Sequence, residues 1–138
     1  MKFLSYRWLV WVMGVLMVVM AHGASQAQEA GYYSPDMLAM QGRWVRTDAP
    51  YIIELRQGKS KKLQATYFNP GYINVEKTEI AEQNGQQYVM IRLQDVNYQG
   101  SMYLLSYNRE GDTLDGVYIH GASGQRYQVG FTRQTASK

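Results

Sequence analysis

From Gly42 onward, apolar residues recur at every second position in short runs, and almost every run ends at a turn-forming residue. A period of two places alternate side chains on opposite faces of an extended chain, so these runs predict β-strands, each with one buried face. Eight strands are expected, over 43–47, 51–56, 62–68, 72–80, 87–94, 101–107, 113–120 and 126–133. Asn69-Pro70-Gly71 and Asn84-Gly85 fit tight reversals, and Gly58, Gly100, Gly111 and Gly121 mark the others. No connection has room for a crossover helix, which argues against a parallel sheet.

Short links between successive strands favour a meander. Closing it removes two exposed edges, so the expected fold is all-β, an eight-stranded antiparallel up-and-down barrel. A sandwich or partly open barrel is the alternative. Ahead of the strands, Ser34-Pro35-Asp36 reads as a helix start and Gly42 as its stop. A helix this short must pack against the barrel to persist. One echo runs through the pattern: Leu63-Gln64-Ala65-Thr66-Tyr67 and Leu114-Asp115-Gly116-Val117-Tyr118 share a Leu-x-small-x-Tyr arrangement. The small central residue permits curvature or a close neighbour.

The N-terminus reads as an export signal. Lys2 and Arg7 precede an apolar run over 8–21, and Ser25-Gln26-Ala27 offers small residues for cleavage after Ala27. That run falls short of the roughly 20 residues of a spanning helix, which weighs against an uncleaved anchor. The chain contains no cysteine, so lipid attachment at a cysteine, disulfides and thiolate metal sites are excluded. The resulting division is a signal peptide over 1–27, a leader and short helix over 28–41, a barrel domain over 42–134 and a tail over 135–138. Periplasmic or secreted localisation follows. Loss of Lys2 and Arg7 lowers the formal charge from +3 to +1, which removes most of the case for a general attraction to nucleic acid or anionic membrane, and no nucleic-acid partner is expected.

Gly42-Arg43-Trp44, following a short helix, resembles the opening of calycin-type barrels, the lipocalin and avidin group. That resemblance implies that Trp44 packs across the barrel base. Tyr67-Phe68-Asn69-Pro70-Gly71-Tyr72-Ile73-Asn74-Val75, together with 114–118, is similar to a family of small exported bacterial proteins. The pattern extends from Met37 to Arg133 and implies fold and export, with no activity attached.

Strand order predicts two rims. Turns near Asp48, Asn69, Asn97 and His120 share one end, and the helix with the turns near Gly58, Asn84 and Gly111 shares the other. The helix covers the base, so the first rim is the expected mouth, with Asp48, Asn69, Asn97, Tyr98, His120 and Ser123 as its polar candidates. Tyr67, Tyr103, Tyr118 and Tyr127 could either line a ligand cavity or fill the core completely. Tyr67, Asn69, Tyr98, Tyr103, Tyr118, His120 and Tyr127 are therefore the candidate ligand residues, and Trp44 is the core marker.

The expected function is a small periplasmic protein binding an apolar or aromatic small molecule at the barrel mouth. The alternative is a protein-interaction or envelope-structural module with a solid core, using the outward set Ile52, Phe68, Tyr88, Met90, Val117 and Ile119. No catalytic residue and no cofactor is expected. His120, near Ser123 and with Asp95 or Asp115 as conceivable partners, lacks a nucleophile motif. A structural metal site is not expected from one histidine outside the signal and scattered acids. Lys59, Lys61 and Lys62 read as a solvated turn at the closed end.

Overall fold

The computed structural model describes residues 35–136. A single helical turn, α1 (Pro35–Ala39), leads into nine strands: β1 (Gly42–Arg46), β2 (Ile52–Gln57), β3 (Leu63–Phe68), β4 (Tyr72–Ile73), β5 (Val75–Gln83), β6 (Gln86–Leu93), β7 (Met102–Asn108), β8 (Thr113–Ile119) and β9 (Arg126–Arg133). They form one antiparallel sheet in the order β4-β3-β2-β1-β9-β8-β7-β6-β5. The first and last long strands pair through Trp44 and Arg133, so the sheet curls into an all-β barrel with a short N-terminal helix. The signal peptide, the leader up to Ser34 and the last two residues of the tail lie outside the described residues.

Nine strands replace the eight expected, and the barrel is near-closed rather than sealed. The predicted fourth strand over 72–80 divides at Asn74. Its first part pairs with β3, through Tyr67 opposite Ile73 and Phe68 opposite Tyr72. Its second part pairs with β6. Asn74 makes the switch: its N–H donates to Asp95 Oδ2 (2.8 Å), its Nδ2 to the Gln94 carbonyl (3.0 Å), and its carbonyl accepts from Gln94 N (3.0 Å). The register then shifts between Val75 and Lys77. Below this point β3 and β5 face each other without a ladder. A bond from Ala65 N to Thr78 Oγ1 (3.1 Å) crosses the seam.

Alternation supplies the core. Trp44, Ile53, Leu55, Tyr67, Val89, Ile91, Leu93, Tyr103, Leu105, Leu114 and Phe131 point inward and are buried. Each such aliphatic or Phe side chain contributes about 1.5–3 kcal/mol relative to an exposed position. The β5–β6 hairpin turns on two residues, Asn84 (φ 53°) and Gly85 (φ 74°), both in the left-handed region that a right-twisted hairpin needs.

The base is closed by α1. Met37 and Met40 are buried against the core. Trp44 Nε1 donates to the Met40 carbonyl (2.8 Å), and the Arg133 guanidinium lies 4.2 Å from the centre of the Trp44 rings. Arg133 also donates to the Ala39 and Gln41 carbonyls (both 2.7 Å) and grips Asp112 through Nε and Nη2 (both 2.8 Å). Those contacts satisfy carbonyls that a helix end leaves unpaired, which is how a single turn persists here.

Candidate functional site

The four connections β1–β2, β3–β4, β6–β7 and β8–β9 gather at the end opposite α1, around an open cavity of about 490 Å³. All seven candidate ligand residues, Tyr67, Asn69, Tyr98, Tyr103, Tyr118, His120 and Tyr127, line it. The strand pattern explains the convergence. Tyr67 is the penultimate residue of β3 and Tyr118 that of β8, so each copy of the Leu-x-small-x-Tyr echo starts with a buried leucine near the base and delivers a tyrosine to the mouth. Tyr103 stands opposite Tyr118, and Tyr118 opposite Tyr127, which carries the aromatic wall across three strands.

Tyr67 and Tyr103 form the floor. Both are buried, their rings lie 5.4 Å apart, and their hydroxyls share a hydrogen bond of 3.1 Å. Burial raises the Tyr67 phenol far above its ordinary range, and the neighbouring Tyr103 adds to the shift. Burial also pushes Tyr103 up to about 12, opposed by the hydrogen bond from Tyr67 and by the Arg46 guanidinium. Beneath the floor Tyr103 meets Phe131 edge-on at 5.6 Å, and the packed core continues to Trp44. The centre of the barrel is therefore packed with side chains below this pair and open above it. Trp44 belongs to the base, remote from the mouth.

The walls combine ring faces with polar edges. Tyr98 and Tyr51 meet Tyr67 edge-on at 6.1 and 6.4 Å, and Tyr118 lies 4.9 Å from Tyr103. Asn69 Nδ2 donates to the Tyr98 hydroxyl. Arg46 forms a two-point bond with Asp48 (2.5 and 3.1 Å) and lies over the Tyr51 ring at 5.4 Å. Hydrogen bonding to Arg46 holds the Asp48 carboxyl below its usual range. The two charges offset each other, so the mouth offers a polar but nearly balanced surface.

Arg46 and Tyr51 were not among the candidate ligand residues. A signal existed for Arg46: it is two positions beyond Trp44 on the same strand, so it shares the inward face. Asp48 and Asn97 reach the cavity as the rim topology implies. Ser123 turns back to His120, its hydroxyl 2.9 Å from Nδ1. Neither carboxylate considered for His120 is bonded to it. Asp95 accepts from the N–H groups of Asn74 and Val96, which lower its carboxyl below the usual range, and Asp115 accepts from Thr113 Oγ1 (2.6 Å). Among the described residues no three His, Asp or Glu side chains gather in a way that could hold a metal ion, and no helix is long and apolar enough to cross a membrane.

A near-closed antiparallel barrel, plugged by a helix at one end and lined with aromatic residues at the other, is broadly compatible with calycin-type architecture and with small-molecule binding. No family model, curated protein or solved structure matches the chain.

Proposed function

We propose that this chain is a small exported binding protein that takes an aromatic molecule bearing hydrogen-bonding groups into the mouth of its barrel and performs no chemistry on it. The carrying observation is the tyrosine-lined cavity of about 490 Å³ above a closed floor. Its size falls within the roughly 300–1,000 Å³ of small-molecule sites, and its mixture of apolar faces with a few placed polar groups is what such sites use. The polar contribution of Arg46, Asp48, Asn69 and the tyrosine hydroxyls favours the aromatic half of the sequence-based expectation over a purely apolar ligand.

Calorimetric screening of phenolic and heteroaromatic compounds tests this reading. Tyr118→Ala and Asn69→Ala should each weaken a hit about tenfold or more while far-UV circular dichroism stays unchanged; unaltered affinity in both would refute a mouth site. Export is tested separately, by fractionating cells that express the full chain and sequencing the N-terminus of the product. Cleavage after Ala27 and a periplasmic or secreted product are expected.

A second reading, docking to an envelope protein, draws on one observation. Met90, Leu104 and Val117 are cross-strand neighbours on the outer face, and Ile119 stands opposite Met102 beside them. All are only half-buried. Val117→Lys should abolish capture of a partner under that reading and leave mouth binding intact.

A further inference from the structure

The unsealed seam between β3 and β5 holds a second cavity, of about 360 Å³, on the side of the barrel near α1. Its inner surface is apolar: Met37 and Leu63 are buried there, with Ile80 half-buried beside them. Its rim is cationic. Lys62 and Lys77 both border it, and Glu79 pairs with Lys77 at 2.6 Å. That leaves Lys62, which is exposed and has no ion-pair partner among the described residues, with Lys59 close by on the same turn.

An exposed gap between two strand edges could admit a peptide as an added strand. Neighbouring strands lie about 4.7–4.9 Å apart, so an inserted strand needs roughly 9.5 Å between β3 and β5. The bond from Ala65 N to Thr78 Oγ1 (3.1 Å) ties the two strands more closely than that. The slot therefore suits a narrow, flexible chain rather than a polypeptide backbone. Met37 adds compliance at its edge, because an unbranched thioether repacks readily around an irregular guest.

We propose that this seam binds a single-chain anionic amphiphile, its alkyl chain against Met37, Leu63 and Ile80 and its carboxylate at Lys62. The site is separate from the mouth: its inner surface is aliphatic where the mouth is aromatic and polar, and it opens through the barrel wall rather than through the rim. Apolar burial supplies the attraction, and the lysine selects the charged headgroup.

The test uses nitroxide-labelled dodecanoate below its micellar concentration, with the protein's methyl and aromatic NMR signals as the readout. Broadening should centre on Met37, Leu63 and Ile80 and spare Tyr98 and Tyr118. Lys62→Glu alters an exposed side chain and should preserve the fold while weakening dodecanoate about fivefold, the scale of one exposed charge pair. The neutral methyl ester of the same label should weaken to a similar degree. Broadening at the mouth or nowhere would overturn the seam site without touching the mouth reading. Equal binding of acid and ester, or of wild type and Lys62→Glu, would overturn headgroup selection and with it the proposal.

Discussion

Removing the hydroxyl of Tyr103 should cost more than removing that of Tyr67, although the two share one hydrogen bond. Both rings are buried and their hydroxyls lie 3.1 Å apart. In Tyr67→Phe, the Tyr103 hydroxyl still lies in the favourable field of the Arg46 guanidinium, so about 1 kcal/mol of net hydrogen-bond stability is lost. In Tyr103→Phe, the Tyr67 hydroxyl loses its hydrogen-bond partner inside the barrel, for a cost of about 2–3 kcal/mol. With a urea dependence of about 1–3 kcal/mol per molar, the Tyr103→Phe midpoint should fall by roughly 1 M. Replacing both removes donor and acceptor together, so the double variant should lose about 1 kcal/mol less than the sum of the singles. Urea unfolding of all four proteins, followed by circular dichroism, measures the cycle. Strict additivity would refute a working hydroxyl pair. Equal single costs would refute the role assigned to Arg46.

Two further substitutions and one titration test the rest of the frame. Arg133→Lys keeps the charge but loses the planar fork and the stack on Trp44; it should cost about 2 kcal/mol and speed amide exchange over 37–41. Gly121→Ala would place a Cβ 2.0 Å from the Gln99 carbonyl oxygen, where the β8–β9 turn packs on the β6–β7 connection, and should cost about 2 kcal/mol or more. Gly71→Ala, with open space around it, should stay within about 0.5 kcal/mol and serves as the control. At high pH the folded-state pKa of Tyr103, raised to about 12, favours the neutral phenol. Its contribution is complete below the unfolded value of about 10 and is lost as pH rises through 12, so the phenolate absorbance of the buried floor pair should appear last and together with unfolding. At low pH the lowered carboxyls of Asp48, Asp95 and Asp112 act in the opposite sense: their contribution is present above about pH 4 and is lost as pH falls through their depressed folded values.

The strand pattern was legible because burial on one face imposes a period of two that survives without knowledge of partners. The seam was not. Residues 72–80 alternate well enough to read as one strand, and the break at Asn74 depends on Asp95 and Gln94, some twenty residues away. At Asn69-Pro70-Gly71 the reversal closes without a positive φ at the glycine, and Asn69 N donates to the Gly71 carbonyl at 2.8 Å. The tyrosines of the mouth could be located by face and rim. Whether they fill the barrel or line a cavity depended on a long-range fact, the depth at which Tyr67 and Tyr103 close the floor. Arg46 was legible in principle. A charged residue on the inward face is easily assigned outward unless its strand parity with Trp44 is followed through.

The division between a solid base and a hollow mouth follows from where large side chains enter a small barrel. Near α1, Trp44, Phe131, Leu55 and Leu114 belong to one buried cluster to which α1 adds Met37 and Met40, so the centre of the base is packed with side chains and the seam cavity lies at its edge. Toward the other end the inward positions are tyrosines, whose hydroxyls need partners once buried. Tyr67 and Tyr103 satisfy each other and can stay inside; Tyr118 and Tyr98 extend past them to the rim, where polar groups and solvent are within reach. Replacing phenylalanine with tyrosine along the inward face thus sets the height at which packing stops. That gives Tyr67→Phe and Tyr103→Phe a second use. If the hydroxyl pair fixes the floor, the double variant should change mouth-ligand affinity more than its partly restored stability would imply.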